Sequence, residues 1–134
     1  MSILIDTSVW VDHFRQRNAA LVDVVVVDQA LTHPMVVAEL ACGTPPAPRE
    51  RTLGDIGLLR VANQASLVEV IAMIERDKLF GLGCGLVDLA LLASTRITPG
   101  ATLWTLDKRL AGLAQRFGVA HPAGVLGYAP LQAP

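Results

Sequence analysis

Ser2-Ile3-Leu4-Ile5-Asp6-Thr7-Ser8-Val9-Trp10 is the stretch on which the fold turns. Residues 2–5 are a short apolar run of the kind that makes a buried strand. Asp6-Thr7-Ser8 ends it, and Thr7 or Ser8 is a good N-cap for a helix over residues 9–15. A second strand-to-helix passage through an acid lies far along the chain. There residues 101–106 read as a strand, and Asp107 begins a helix that runs through Phe117 and stops at Gly118.

Working outward from these two junctions, residues 30–32 make a short strand and Pro34 opens a helix that carries Glu39 and ends at Gly43. Residues 18–29 hold a valine run with strand propensity. Asn18 as an N-cap, the two following alanines and the length of the segment favour a helix over the strand. Residues 44–48 are a proline-rich connector, residues 49–59 a moderately polar helix, and residues 59–61 a further short strand. Residues 66–78 show one apolar stripe, Leu67, Val70, Ile71 and Ile74, opposite Glu69, Glu75, Arg76 and Asp77. After the glycine-rich loop 81–85 comes an almost wholly apolar helix over residues 86–97 with Asp88 in its first turn, and Val119-Ala120 make a last short strand. Strands alternating with helices imply an α/β fold: a parallel sheet of about four to five short strands sandwiched by helices.

The chain of 134 residues is sized for a single domain spanning residues 1–134. Its 52% hydrophobic and 17% charged residues exclude disorder and require a well-filled core. The mean hydropathy of +0.48 raises the question of a membrane. The longest apolar stretch, around Val24 to Val27, is cut by Asp23 and Asp28 and is far too short to span one. The opening residues show no basic region and no cleavage site, so a cytoplasmic protein is expected. Cys42 and Cys84 share no ligand spacing and read as buried free thiols. The formal net charge of −1 gives no long-range attraction to nucleic acid.

Of twelve acidic residues, most sit among polar neighbours. Asp6, Glu39, Asp88 and Asp107 do not: each lies in an apolar context, where an acid without a partner is costly. Asp6 and Asp107 fall at strand-to-helix junctions, and the carboxyl ends of parallel strands are where α/β sites are built. Glu39 and Asp88 fall in the first turn or two of a helix, where the dipole favours negative charge. If the four converge, two carboxylates ~4 Å apart repel by about 4 kcal/mol at an effective dielectric of ~20. A bound proton or a cation must relieve that. Oxygen-only ligands select a hard divalent ion, Mg2+ or Mn2+, which can activate water and steady charge on a phosphoryl group. The bland alternative makes each acid an N-cap or a salt-bridge partner.

Leu4-Ile5-Asp6-Thr7-Ser8-Val9-Trp10, Val37-Ala38-Glu39-Leu40, Leu86-Val87-Asp88-Leu89-Ala90-Leu91-Leu92-Ala93 and Trp104-Thr105-Leu106-Asp107-Lys108-Arg109-Leu110 also resemble, in order, the four acidic motifs of PIN-domain nucleases, particularly the VapC-type toxins of toxin–antitoxin systems. The match runs over nearly the whole chain. The resemblance implies a PIN-like sandwich, Mg2+-dependent RNA cleavage and a cognate VapB-like antitoxin. It carries Asp6, Glu39, Asp88 and Asp107 over as the metal-binding catalytic cluster, Thr105 as a hydroxyl near the metal and Ser8 as a supporting residue. Arg15, Lys108 and Arg109 lie near acidic motifs and are candidate RNA phosphate ligands, with ordinary surface charge as the competing reading. The valine-rich helix offers more apolar surface than one core contact covers, so a homodimer is expected, with an antitoxin segment laid beside that helix.

Other classes fit less well. An aspartyl-phosphate phosphatase needs a second acid two positions after the nucleophile, where Ser8 stands. A receiver-type signalling domain would carry adjacent acids after its first strand, although Lys108 resembles its lysine. A catalytically silent PIN-like binding module is disfavoured by the presence of all four acids. His13, His33 and His121 lack zinc-like spacing. Trp10 and Trp104, within apolar segments, read as core rather than base-stacking platforms.

Overall fold

Ile3, Leu4 and Ile5 are at most 2% exposed, so the first strand is covered on both faces, as a central strand of a parallel sheet must be. The computed structural model describes residues 1–122. The part of the expected domain from residue 123 to 134 lies outside the described residues. The elements run β1 (Ser2–Ile5), α1 (Thr7–Arg15), α2 (Ala19–Val26), β2 (Ala30–Thr32), α3 (Pro34–Cys42), α4 (Arg49–Gly57), β3 (Arg60–Val61), α5 (Leu67–Asp77), α6 (Leu86–Arg96), β4 (Ala101–Trp104) and α7 (Lys108–Arg116). The four strands are all parallel in the order β3-β2-β1-β4. A fifth position is marked only by a bridge from Leu103 to Ala120, made by Leu103 N–H to Val119 O and His121 N–H to Leu103 O.

Chain order explains the site's location. From β1 the chain steps through β2 to β3 on one side, and β4 returns to the other side of β1. The strand order therefore reverses between β1 and β4, and the crevice outside the carboxyl ends at such a reversal is where open α/β sheets bind ligands. Ile5 pairs with Trp104, so Asp6 and Thr105 emerge side by side there.

Local structure departs from expectation in informative ways. The N-cap of α1 is Asp6, whose side chain accepts from Ser8 N–H, and not Thr7 or Ser8. β4 stops at Trp104, because the next residues turn their polar groups toward Asp6 and Ser8 instead of the ladder. The valine run is a helix with Asn18 as N-cap, ending at Val26, and Asp28 takes a left-handed conformation after it. Val70 and Met73, with Ile74 beside them, face the core from α5; Leu67 and Ile71 are 58% and 51% exposed, so the expected stripe is rotated. Apolar residues surround much of α5, and packing against α6 sets which of them turn inward. Cys42 is exposed at the last residue of α3 and Cys84 half-buried in a loop, so neither is the buried thiol expected. Trp10 and Trp104 are buried, as expected.

His33 ties three elements together. It is 3% exposed and caps α3 by accepting Met35 N–H at Nδ1 (3.0 Å). The ring proton therefore sits on Nε2, 3.1 Å from Ser94 Oγ in α6, and Ser94 Oγ also accepts Ala65 N–H just before α5. Burial holds the His33 pKa below its ordinary 6.5. The unfolded chain consequently takes the proton first, and stability present above pH 6.5 is lost as pH falls through that value. His121 is lowered by burial in the same direction. The melting temperature should fall between about pH 7.5 and 5, and His33→Asn should flatten part of that slope. An unchanged slope in thermal melts of His33→Asn would show that this cap does not titrate on unfolding.

Candidate active site

Asp6 is the most constrained acid in the protein. It is 4% exposed, and its Oδ2 accepts the hydroxyls of Ser8 (2.6 Å) and Thr105 (2.8 Å). Neither hydroxyl is free to turn away. Ser8 Oγ accepts Leu106 N–H at 2.9 Å, and Thr105 Oγ1 accepts Asp107 N–H at 3.0 Å. A donor proton arriving on each oxygen leaves its own proton for Asp6. The β1 and β4 ends are thus bonded through one carboxylate oxygen.

The remaining acids are held more lightly. Glu39, exposed on the second turn of α3, has Oε1 bonded by the Thr7 hydroxyl at 2.6 Å. Asp107 caps α7, its Oδ1 accepting Arg109 N–H (2.9 Å) and Leu110 N–H (3.0 Å). Asp88, half-buried in the first turn of α6, accepts Gly85 N–H at 3.4 Å on Oδ2. The apolar sequence around Glu39 and Asp88 serves the inward faces of their helices, and that before Asp107 belongs to β4, so among these four acids full burial is confined to Asp6. Ser8 and Thr105 both direct their hydroxyls to Asp6. Thr7, read from the sequence only as a cap, holds Glu39; a hydroxyl directly after the first acid was the available signal.

The four acids share one electrostatic neighbourhood. The Asp88 carboxyl is pushed above the ordinary carboxylate range first by burial, then by Asp6, Asp107 and Glu39, with the Gly85 N–H pulling the other way. Capping and clustering are not alternatives here. Each acid commits one oxygen to the chain. Among the described residues no hydrogen bond or ion pair reaches Asp6 Oδ1, Glu39 Oε2, Asp88 Oδ1 or Asp107 Oδ2. Those four oxygens are hard donors suited to Mg2+ or Mn2+. Among the described residues no three His, Cys, Asp or Glu side chains already form a cage. Mg2+ needs none, since it keeps several waters and takes one or two carboxylates.

Of the basic candidates, Arg15 is exposed and lines a groove of about 510 Å³ with Thr7, Glu39 and Pro46. Arg109 lies against Gly83 in the loop before α6. Lys108 is exposed at the first position of α7, and no described contact places its side chain. Asp12 is exposed and accepts a hydrogen bond from the Asn18 side chain, away from the other acids.

No family model matches the chain. Over 118 residues it is 41% identical to Ribonuclease VapC32 of Mycobacterium tuberculosis strain CDC 1551 / Oshkosh, and to the same extent to Ribonuclease VapC32 of strain ATCC 25618 / H37Rv. The overlap takes in 88% of this chain and 94% of each relative. No helix among the described residues is long and apolar enough to cross a membrane. An all-parallel sheet with its acids at the carboxyl edge, together with identity at this level over almost the full relative, leads to one conclusion: the chain belongs to the VapC family of PIN-type ribonucleases.

Proposed function

We propose that the chain is a divalent-metal-dependent endoribonuclease, the toxin of a toxin–antitoxin pair, acting in the cytoplasm. The observation that carries this reading is the set of four carboxylates at the β1/β4 reversal, each with one oxygen fixed and one unpartnered. Asp6, Glu39, Asp88 and Asp107 would hold Mg2+ or Mn2+, which when bound supplies a more acidic water and stabilises charge on the scissile phosphate. The protein's own part is geometric. Ser8 and Thr105 fix the Asp6 plane, Thr7 fixes Glu39, and the α7 N-terminus fixes Asp107, so the unpartnered oxygens are presented from rigid elements. Water as the attacking group leaves 5′-phosphate and 3′-hydroxyl ends, and no histidine pair is required.

Cleavage of single-stranded RNA should stop with a chelator and in Asp6→Asn or Asp88→Asn. Thr105→Val, which removes one hydroxyl from Asp6, should cost about 10–100-fold. Products ending in 2′,3′-cyclic phosphate would sink the mechanism.

Asp88 offers a test independent of turnover. Its folded pKa is raised, so ionising it opposes folding: the stability present below the usual carboxylate range is lost as pH rises through the raised value. In metal-free buffer Asp88→Asn should melt higher than the parent at pH 7, and the gap should close toward pH 4, as measured by calorimetry. A lower melting temperature at pH 7 would mean that the cap to Gly85 outweighs the repulsion.

The same reading gives the toxin a VapB-like antitoxin and makes it a homodimer. Support comes from apolar surface that the described chain leaves uncovered. Val26 and Val27 are 75% and 59% exposed, and Trp10, Leu21, Val22, Val25 and Ile56 line a neighbouring groove of about 240 Å³. Val22→Asp with Val26→Asp should weaken the complex formed on co-expression with the antitoxin, read by co-purification. An equally stable complex would place the partner elsewhere.

A further inference from the structure

Arg109 is seated on a glycine. A Cβ at Gly83 would stand 2.7 Å from Arg109 Nη1, 2.9 Å from Cδ and 3.0 Å from Cζ, so any side chain there would make the arginine shift. Gly83 also has φ +88°, a conformation that disfavours any L side chain. Conformation and space therefore ask independently for the same residue. The loop beneath Arg109 reaches one acid and its own backbone reaches another: Gly85 N–H bonds Asp88 and Arg109 N–H bonds Asp107 Oδ1. The exposed Arg109 side chain thus lies along the loop that leads to the third acid, while its backbone caps onto the fourth.

What it does not do matters as much. Among the described residues its side chain makes no ion pair and donates no hydrogen bond. The Cys84 thiol senses the same small space: burial, Asp88 and Asp107 push its pKa up, while Arg109 pulls it down. An exposed planar fork of five N–H donors with no counter-charge among the described residues is available to an outside anion.

We propose that Arg109, seated by Gly83, grips a phosphate of the RNA strand adjoining the acid cluster, and that Gly83 is a positioning residue for that grip. This rests on the nuclease reading above. The bidentate fork orients a phosphate beside the carboxylates, which by themselves repel it. Gly83 contributes through the absence of a side chain.

The experiment measures binding, not cleavage. A labelled, short single-stranded RNA of mixed sequence is titrated by fluorescence anisotropy at several salt concentrations with Mg2+ present, in an Asp6→Asn background. Arg109→Ala should weaken binding about tenfold and reduce the salt slope by about 0.7, the value of one phosphate contact on a single strand. Arg109→Lys should keep the slope and lose severalfold in affinity, because charge remains and the fork does not. Gly83→Ala should weaken binding as Arg109→Ala does, yet add nothing once Arg109 is already alanine. An unchanged slope in Arg109→Ala overturns the grip, as does failure of every form to bind the RNA. A Gly83→Ala loss that persists without Arg109 overturns the seat. RNA binding with the expected slope, but no cutting by the unsubstituted chain, would refute the nuclease reading and leave the grip standing.

Discussion

One carboxylate oxygen joins the two halves of the sheet's active edge. Asp6 Oδ2 takes a hydroxyl from Ser8, two residues along, and one from Thr105, across the β1/β4 pair. Both hydroxyls are fixed by backbone N–H groups from the segment that follows β4. A buried anion is costly unless it is hydrogen-bonded, and here two short hydrogen bonds and the α1 N-terminus engage Oδ2. The same bonds end β4, start α1 and set the approach to α7. Removing Asp6 would take away the acceptor around which two junctions are arranged.

That arrangement joins the local and functional meanings of the acids. A cap needs one oxygen and a cation needs another, and a carboxylate has both. Asp107 spends Oδ1 on two N–H groups of α7, and Asp88 spends Oδ2 on the turn before α6. Helix N-termini partly offset the charge of these acids without consuming their second oxygen. The residual repulsion shows at Asp88, which is half-buried and feels the other three acids. Within this arrangement stability is sacrificed where the charge is concentrated, while the apolar run of α6 behind Asp88, buried from Leu89 to Thr95, anchors the helix in the core.

Much of this could be read from the amino-acid order, and the parts that could not share a cause. Strand and helix positions were legible because apolar period and capping chemistry are local; so was the fall of Asp6 and Asp107 at strand-to-helix junctions. The capping residue of α1 was not. Asp6, Thr7 and Ser8 are all good caps, and the choice falls to Asp6 because its partner arrives from residue 105. Thr7 is then left to hold Glu39, 32 positions away. The inward face of α5 was misread for a similar reason: with apolar side chains around much of its surface, the rotation is set by α6 and not by its own sequence. Burial of the acids was overestimated because a helix places sequence neighbours on opposite faces.

Overall charge points away from nucleic acid, with a net −1 and the acids gathered at the sheet edge. Long-range steering therefore contributes little, and on the nuclease reading affinity has to be made at short range. On that reading Arg15, in the groove beside Glu39, and Arg109, against the loop that leads to Asp88, would make it. An RNA strand bound there would face the carboxylates as well. The divalent ion would reduce the repulsion beneath it, while the arginines would hold its phosphates. Without a cation the clustered carboxylates would repel the strand, so on this reading the ion is what makes the site receptive to it.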